Sequence, residues 1–492
     1  MGLAAAASVG WSASGPARAA SAQALPGGLR STSGSRAQSL AQFAGCPVST
    51  AQSSVEGLRG YDALRLSWNG CWIASPIAVA HPRSEREVAQ IVRWCRREGV
   101  AVRVRSGGHS FIGDSLCDGV IIDMGALRRV EPGTTPGTAR IAGGALLGDV
   151  ESTLYHALGR QTCTLGSCNS VGISGLLLGG GIGIMSREHG LTIDALESAR
   201  VVLPSGDTVE TDLERYPDLF WAIRGGGGSF GIVTEMVLRT RPWANVHSRT
   251  QYWRWNEAEQ VLQTWSDWIV TLPPGSSASL VWMTSGTQTS SEIRTIVRSD
   301  RNAQDAEQCA ASLEDALSSK PVRQKSRTSQ PPSPSARIRL AGPRSANSSV
   351  FARATVPAGT AAHVAAAMHA RRNGGAAFGD GTAMMICNAL GGRIERVASD
   401  ATAYVHRDAR FIAEFATEWT TDSERARSAN RSWVQATSTN VRSGFSTGSY
   451  SNYADAVLPD WRKAYWGSNL PRLERIKQQI DPDRVFSGQQ FV

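Results

Sequence analysis

Clusters of glycine constrain this chain more than any other feature of its sequence. Fifty of the 492 residues are glycine, which is about a tenth of the chain against an average of about 7%. They concentrate in GSCNSVGISGLLLGGGIG (166–183) and IRGGGGSFGIV (223–233). Glycine lets the backbone approach a ligand closely and leaves amide N–H groups free to bind oxyanions. The clusters therefore predict a site for a flat ligand that carries phosphate, such as a dinucleotide.

The two commonest glycine motifs for nucleotides do not fit the chain. Gly226, Gly228 and Gly231 formally satisfy G-x-G-x-x-G, but that motif must follow a strand and begin a helix. Here the preceding YPDLFWAIR is helical in pattern and the following IVTEMVLRT is strand-like. No GK[ST] follows a glycine run, which argues against a P-loop. The sequence predicts a dinucleotide held outside the Rossmann scheme.

Composition excludes several classes of protein. With 41% hydrophobic and 19% charged residues, the chain is typical of a globular protein of two or three domains. Its net charge of +9 comes from dispersed arginines without a run of five basic residues, so we expect a solvated surface and no nucleic-acid partner. No apolar run approaches the length of about 18 residues that a membrane span needs. The eight cysteines contain no C-x2-C pair, so no metal site is expected.

The first 30 residues allow two interpretations. MGLAAAASVGWSASGPARAASAQA is small and apolar and contains two A-x-A sequences, 17–19 and 22–24, that resemble signal-peptidase sites. It lacks a charged or twin-arginine beginning. We therefore expect either a secreted or periplasmic protein with a signal-like segment at 1–30, or a cytoplasmic protein with a disordered tail there.

The rest of the chain divides into three parts. Residues 31–243, with a core at 76–242, alternate between helical stretches and apolar strands, which predicts an α/β unit; SEREVAQIVRWCRREG reads as a helix and AVRVRS as a buried strand. Residues 244–440 are less regular, and their proline-studded SKPVRQKSRTSQPPSPSARIR predicts a surface loop. In 441–492, LPRLERIKQQI predicts a helix that ends before Asp481-Pro482.

Three segments carry a family resemblance. VRSGGHSFIGDSLCDGVIIDM, LGSCNSVGISGLLLGGGIGIMSREHGLTIDAL and YPDLFWAIRGGGGSFGIVTE resemble the FAD domain of the berberine bridge enzyme-like oxidoreductases, in the vanillyl-alcohol oxidase superfamily. ATAYVHRDARF and the closing YSNYADAVLPDWRKAYWGSNLPRLERIKQQIDPDRVFSGQQ resemble the same family. Together they cover most of the chain outside 244–380, in the family's order.

The resemblance implies a fold and a cofactor. It implies an α+β protein with a PCMH-type FAD-binding domain of two α/β subdomains (31–243), a substrate domain with an antiparallel sheet covered by helices (244–440), and a C-terminal segment that returns to the flavin (441–492). The cofactor it implies is FAD, held by two covalent bonds, an 8α-histidyl bond at His109 and a 6-S-cysteinyl bond at Cys168. The positions that the resemblance assigns to cofactor binding are Arg105, Ser106, Gly107, Gly108, His109, Ser110, Cys168, Val171, Gly172, Gly175, Gly179, Ile232 and Asn452.

Two positions depart from the family pattern, and a third bears on oxygen. The family commonly has proline after the linked cysteine and histidine at the end of its G-x-G-G-H run, where this chain has Asn169 and Leu176. These departures make the cysteinyl bond the less secure of the two. Val171 stands where the family places the residue that admits or blocks dioxygen, and a small β-branched side chain there is the oxidase-like choice.

The catalytic base has two candidates. Tyr450-Ser451-Asn452-Tyr453 matches the family's Y-x-N-Y, whose second tyrosine is often the base, with Tyr450 shaping the site. A tyrosine acts as a base only if a positive charge or a hydrogen bond stabilises its phenolate. Glu414 follows the HRDARF run where relatives carry Gln or Glu facing the substrate, and it suits a phenol or amine substrate. Arg407 and His406 are candidates for supporting charges.

These residues predict an oxidase that takes two electrons from an alcohol, sugar or secondary metabolite and passes them to dioxygen, giving hydrogen peroxide. The alternatives are a dehydrogenase with another acceptor and a flavoprotein without turnover. The partners would be a small-molecule substrate and dioxygen. One group of residues could either stack against a sugar or pack in a core: Trp253, Trp255, Trp265, Trp268 and Trp282.

Overall fold

The computed structural model describes residues 27–57, 59–284, 291–332 and 342–492. The signal-like segment predicted at 1–30 therefore lies almost wholly outside the described residues, and export stays a prediction. Among the described residues, no helix is both long and apolar enough to cross a membrane.

A four-stranded sheet forms the first part of the N-terminal domain. Its strands are β1 (Val48–Ser49), β2 (Ala78–Ala80), β3 (Val102–Arg105) and β4 (Val120–Asp123), and its helices are α1 (Gly27–Ala44), α2 (Tyr61–Leu64) and α3 (Glu85–Glu98). The order is β1-β2-β4-β3, with β2, β4 and β3 parallel. Gly99 ends α3 with a left-handed φ of 61°, the geometry that glycine adopts most easily. The predicted helix and the buried strand after it are both confirmed.

A five-stranded antiparallel sheet forms the second part of this domain. Its order is β5-β6-β10-β8-β9. The strands are β5 (Val130–Pro132), β6 (Thr138–Ala142), β8 (Leu196–Val202), β9 (Thr208–Thr211) and β10 (Ile232–Arg239), with a separate pair β7 (Gln161–Thr162) and β11 (Arg241–Pro242). The helices are α4 (Leu147–His156), α5 (Ile173–Leu178), α6 (Ser186–His189) and α7 (Pro217–Ala222). The second glycine cluster lies between helix α7 and strand β10, which confirms that it is not a Rossmann turn.

The middle of the chain forms a seven-stranded antiparallel sheet, in the order β15-β12-β14-β13-β17-β18-β16. Its strands are β12 (His247–Trp253), β13 (Ser276–Thr284), β14 (Glu292–Ser299), β15 (Arg323–Thr328), β16 (Arg344–Ala352), β17 (Thr382–Ala389) and β18 (Phe411–Trp419). Four helices cover one face: α8 (Ala258–Trp268), α9 (Ala303–Leu317), α10 (Ala358–Asn373) and α11 (Glu424–Arg442). The predicted α+β class and the helix-covered antiparallel sheet are confirmed.

The two faces of this sheet differ in character. Side chains alternate along a strand, so Ala278, Leu280 and Trp282 of β13 pack beneath the helices. Val281 and Met283 lie on the opposite face, called the inner face here. Directly paired residues of antiparallel strands share a face. The pairing of β13, β17 and β18 therefore extends the inner face through Met384, Ile386, Glu414 and Ala416.

The prediction of a surface loop at SKPVRQKSRTSQPPSPSARIR is wrong in part. Its first half contains strand β15, which pairs only with β12 and forms an edge of the sheet. An edge strand has one unpaired side and commonly carries exposed charge, so its sequence resembles that of a loop. Residues 333–341 lie outside the described part of the chain.

The C-terminal segment is fixed to the N-terminal domain by a buried lysine. It contains α12 (Trp461–Trp466) and α13 (Leu470–Ile480), which confirms the helix predicted before Asp481-Pro482. Lys477 Nζ donates to Asp481 Oδ2 and to the carbonyl oxygens of Ser229 and Phe486, each at 2.6 Å. Because a buried ammonium is stable only when its donors are paired, this network holds the segment against the second glycine cluster.

Candidate active site

Two glycine turns, predicted separately, pack directly against each other. The first turn follows β3, and the second precedes α5. A β-carbon on Gly107 would lie 2.3 Å from the nitrogen of Gly172, and one on Gly172 would lie 2.2 Å from Ser106 Oγ. Neither distance permits a side chain. These two glycines therefore serve the contact that brings His109 beside Cys168.

A single hydroxyl joins the two predicted attachment residues. Ser170 Oγ lies 2.9 Å from His109 Nε2 and 3.5 Å from Cys168 Sγ. The Trp68 ring stacks on the imidazole with centroids 5.3 Å apart. Burial, and secondarily the charge of Arg105, lowers the pKa of His109 to about 4. The ring is therefore neutral at pH 7 and keeps one nitrogen lone pair, as a nucleophile requires.

Arg105 provides a test of whether these residues fit a phosphate-bearing cofactor. Its side chain is 1% exposed, and its Nε and Nη1 have no hydrogen-bond partner among the described residues. Burial lowers its pKa to about 10, so the guanidinium stays charged at pH 7. Gly108 has a φ of 72°, and a β-carbon there would lie 2.3 Å from Arg105 Cζ. A buried cation with free donors beneath a glycine turn fits the pyrophosphate of FAD.

The other positions assigned to the cofactor lie in different surroundings. Ser110 Oγ accepts a hydrogen bond from Asp114 N at 3.0 Å, so it holds the turn. A β-carbon on Gly175 would meet no atom within 4 Å, whereas one on Gly179 would lie 2.1 Å from Asn452 Oδ1. The side chain of Ile232 is 3% exposed and packs in the core of the first sheet, which leaves only its backbone for a ligand.

Tyr450 holds the glycine-rich loop after α5. Its hydroxyl oxygen accepts hydrogen bonds from Gly181 N at 3.0 Å, Ile182 N at 3.2 Å and Asn452 Nδ2 at 3.0 Å. Asn452 Nδ2 also donates to the carbonyl of Leu176 at 2.8 Å. Burial raises the pKa of Tyr450, and the three donors oppose that rise. The predicted Y-x-N-Y segment thus contacts the first glycine cluster through its first tyrosine and its asparagine.

Tyr453 and Glu414 lie together beyond that loop. The Tyr453 ring packs edge-on against Phe111 at 6.2 Å and against Tyr450 at 5.2 Å. Burial raises the pKa of Glu414 to about 8, with a smaller contribution from Glu418. Burial, and then the charge of Glu414, raises the pKa of Tyr453 well above its usual value. The carboxyl group is therefore the more readily ionised member of this pair.

The predicted supporting charges lie elsewhere. Arg407 donates two hydrogen bonds to the carboxylate of Asp194, at 2.8 and 2.9 Å. His406 Nε2 lies 3.0 Å from the carbonyl oxygen of Tyr465, and its ring stacks on Phe351 at 4.2 Å. Neither residue is among the groups that shift the pKa of Glu414. The prediction that they support it is not matched by these contacts.

The tryptophans do not form a wall for sugar. Four of the five named tryptophans are at most 5% exposed and pack beneath the helices: Trp253, Trp265, Trp268 and Trp282. Trp255 is half-buried and packs against the same core. The inner face beside Glu414 instead carries a small apolar cluster of Met283, Met384 and Ala416, with Ile386 against it.

A cavity of about 150 Å³ lies between the domains on the far side of the Cys168 loop. Ser167 and Asn169, on either side of Cys168, line it together with Arg241, His189 and Asp300. Tyr453, Glu414 and His109 are not part of its lining. No group of three or more His, Cys, Asp or Glu residues able to hold a metal occurs in the described ranges.

Sequence reasoning missed Ser170, Trp68 and Phe111. Ser170 lies two residues after Cys168, and Phe111 two residues after His109. The short spacing to each attachment residue is the only signal that could have pointed to these two. Trp68 lies in a separate segment, and only the three-dimensional packing places its ring on His109.

Comparisons with known proteins identify the families that this chain resembles. The family described as "FAD binding domain" matches residues 76–212, and the family "Berberine and berberine like" matches residues 449–492. The FAD-linked oxidoreductase YgaK of Bacillus subtilis is 28% identical over 88% of this chain and 94% of its own length. The chitooligosaccharide oxidase of Gibberella zeae is 28% identical over 85% of this chain and 87% of its own.

The solved structures that resemble this fold include a glucooligosaccharide oxidase from Acremonium strictum, described as carrying 6-S-cysteinyl, 8α-N1-histidyl FAD. It aligns with a TM-score of 0.81 at 23% identity, over 92% of this chain and 98% of its own. At that identity the likeness shows the fold, and it confirms the predicted PCMH-type architecture.

Proposed function

The chain belongs to the berberine bridge enzyme-like FAD-linked oxidoreductases, and we propose that it is an oxidase that converts an alcohol to a carbonyl compound while reducing dioxygen to hydrogen peroxide. One observation supports the proposal: His109 and the pair of Tyr453 and Glu414 are joined by a short series of neighbouring side chains. Phe111 lies two residues after His109 and packs on Tyr453, which in turn lies beside Glu414. Cofactor attachment and proton transfer therefore act at the same place.

The chain's own residues bind the cofactor and move one proton. Bound FAD would supply the acceptor for a hydride from the substrate carbon and the route for two electrons to dioxygen. Arg105 would pair with the anionic part of the cofactor, and His109 and Cys168 would hold it by covalent bonds. Tyr453 Oη receives the hydroxyl proton of the substrate as it passes its own proton to the carboxylate of Glu414.

Glu414 is suited to be the final proton acceptor. A general base works best when its pKa lies near the working pH, and the pKa of Glu414 is raised to about 8. No positive charge is among the groups that shift the pKa of Tyr453. A free tyrosinate is therefore unfavourable. Tyr453 contacts the substrate hydroxyl, and Glu414 accepts the proton.

The inner face favours an apolar substrate body over an oligosaccharide. Beside Glu414, Met283, Met384 and Ala416 offer methylene and thioether surface that suits an apolar group. The tryptophans that could stack on a sugar ring pack in the core instead. We expect an alcohol attached to an aromatic or aliphatic body.

A substrate panel tests this function through peroxide release. Aryl and long-chain alcohols should give one peroxide per carbonyl product, whereas xylo- and chitooligosaccharides should give at most about a tenth of that rate, a difference of about 1.4 kcal/mol in barrier. Carbonyl product formed only with an artificial acceptor, and without peroxide, would identify a dehydrogenase instead. Preferred turnover of oligosaccharides would contradict the apolar substrate.

Val171 is expected to keep the site open to dioxygen. Its half-buried side chain follows Ser170 directly and packs against the core of the N-terminal domain. Val171→Leu should slow reoxidation of the reduced enzyme in air by at least about tenfold, because the larger side chain fills the space beside the attachment turn. Stopped-flow absorbance measures this rate, with Val171→Ala as the control that keeps the space open. Equal reoxidation in all three proteins would remove Val171 from the oxygen path.

A further inference from the structure

The hydroxyl of Ser170 contacts both attachment residues at once. It lies 2.9 Å from His109 Nε2 and 3.5 Å from Cys168 Sγ. Within the described part of the chain, no other side chain forms a hydrogen bond with the thiol or with the imidazole. The two nucleophiles therefore share one partner, which has a single proton to donate.

That single proton can be donated to only one of the two nucleophiles at a time. In one arrangement, Nε2–H of His109 donates to Ser170 Oγ, and the Ser170 hydroxyl donates to the sulfur of Cys168. The imidazole then has its lone pair on Nδ1, and the sulfur is stabilised as a thiolate. In the opposite arrangement, the hydroxyl donates to Nε2 while the thiol donates to Ser170 Oγ. Nδ1 then carries the proton, the sulfur keeps its own, and neither atom is a nucleophile.

We propose that Ser170 is a positioning residue for cofactor attachment, directing the histidyl bond to Nδ1 of His109 and holding the sulfur of Cys168 as a thiolate for the cysteinyl bond. The inference rests on the proposed function, because it requires FAD to be attached at both residues. Ser170 would determine which ring nitrogen reacts, because Nε2 is hydrogen-bonded to it and Nδ1 is then the nitrogen with a free lone pair.

Formation of each covalent bond to the flavin is an oxidation, and dioxygen can serve as the oxidant for both. In the histidyl bond, Nδ1 bonds to the 8α carbon as one C–H bond there breaks, and the imidazole releases its Nε2 proton toward Ser170. Two electrons and two protons are removed in total, and they reduce one dioxygen to hydrogen peroxide. In the cysteinyl bond, C–S replaces C–H at carbon 6, and a second dioxygen is reduced in the same way.

Attachment itself is the measurement that tests this role. The full chain, produced with limiting riboflavin, is incubated with FAD in air, and denatured samples are followed by mass and by flavin absorbance. Ser170→Ala should slow the appearance of doubly attached flavin by at least about tenfold, because it removes a hydrogen bond to a charged sulfur. Ser170→Thr keeps the hydroxyl and should restore attachment.

Ser174→Ala is the matched control. Ser174 Oγ donates to the carbonyl oxygen of Gly143 at 2.6 Å and contacts neither nucleophile, so this variant should attach flavin at the wild-type rate. Wild-type rates of attachment in Ser170→Ala, at both residues, would overturn the role of Ser170 while leaving the proposed function intact. Wild-type protein that releases all its flavin on denaturation would overturn bicovalent attachment, and the inference with it.

Discussion

Tyr453→Phe should reduce the rate of flavin reduction by substrate at least tenfold, and by about a hundredfold if the phenol carries the full contribution of acid–base catalysis. The proton of an alcohol must leave largely in concert with the hydride, because an alkoxide is too unstable to form first. Tyr453→Phe removes the hydroxyl that we propose passes the substrate proton to Glu414. Anaerobic stopped-flow absorbance of the flavin measures this step directly.

Tyr465→Phe is the control for the loss of a buried hydroxyl. Tyr465 Oη donates to Gln490 Oε1 at 2.8 Å and accepts from Asp455 N at 3.2 Å, and it is not among the groups that shift the pKa of Tyr453 or Glu414. This variant should reduce its flavin at the wild-type rate even if it melts at a lower temperature. A Tyr453→Phe enzyme that reduces flavin as fast as Tyr465→Phe would show that the phenol is not on the proton path.

The pH dependence of flavin reduction should distinguish the role of Glu414 from that of Tyr453. Burial raises the pKa of Glu414 to about 8, and only the carboxylate accepts a proton. The rate of flavin reduction should therefore rise with pH through about 8 and level off above it. Glu414→Gln should lower the rate and abolish this rise. A rise that persists unchanged in Glu414→Gln would assign the titration to another group.

Stability measurements separate this catalytic effect from unfolding. Because the pKa of Glu414 is higher in the folded protein than its usual value, the carboxyl group is best tolerated below its usual pKa. Stability is lost as pH rises through about 8. Glu414→Gln should therefore melt at a higher temperature than the wild type at pH 9 and at a similar temperature at pH 4. A variant that loses activity while gaining stability is not failing to fold.

The two proposed attachment residues can be singled out in the sequence because each lies in a compact local motif. His109 ends a GGH turn and Cys168 begins a glycine cluster. The sequence does not predict that these two residues lie close together. Their proximity depends on the contact between Gly107 and Gly172, which joins two turns far apart in the chain. Ser170 gains its place from that contact alone. No pattern within its own segment indicates that its hydroxyl faces both nucleophiles.

In the substrate domain, the sequence does not show which side chains face the core and which face the site. A tryptophan in a strand can face a ligand or a core, and the sequence of β13 does not say which face the helices cover. The structure shows that Trp282 packs beneath them and that Met283, its neighbour, lies on the inner face. Likewise, Glu414 was a candidate by resemblance, but its raised pKa depends on burial by residues from several strands.

Removing both attachment residues should release the cofactor entirely. His109→Ala should leave flavin attached through Cys168 alone, and Cys168→Ala should leave it attached through His109 alone. The double variant should lose all flavin on denaturation, since no covalent bond remains. Arg105 and the glycine turns are unchanged in these proteins, so the folded double variant should still bind FAD reversibly. Flavin absorbance before and after acid precipitation distinguishes reversible from covalent binding.

We expect this chain to hold FAD covalently at two residues as part of an oxidase site. The most direct measurement is the mass of the denatured wild-type protein and of its peptides. We predict one FAD per chain, joined both to the peptide that contains His109 and to the peptide that contains Cys168. Wild-type protein that carries no added mass, with all its flavin free in the supernatant, would contradict it.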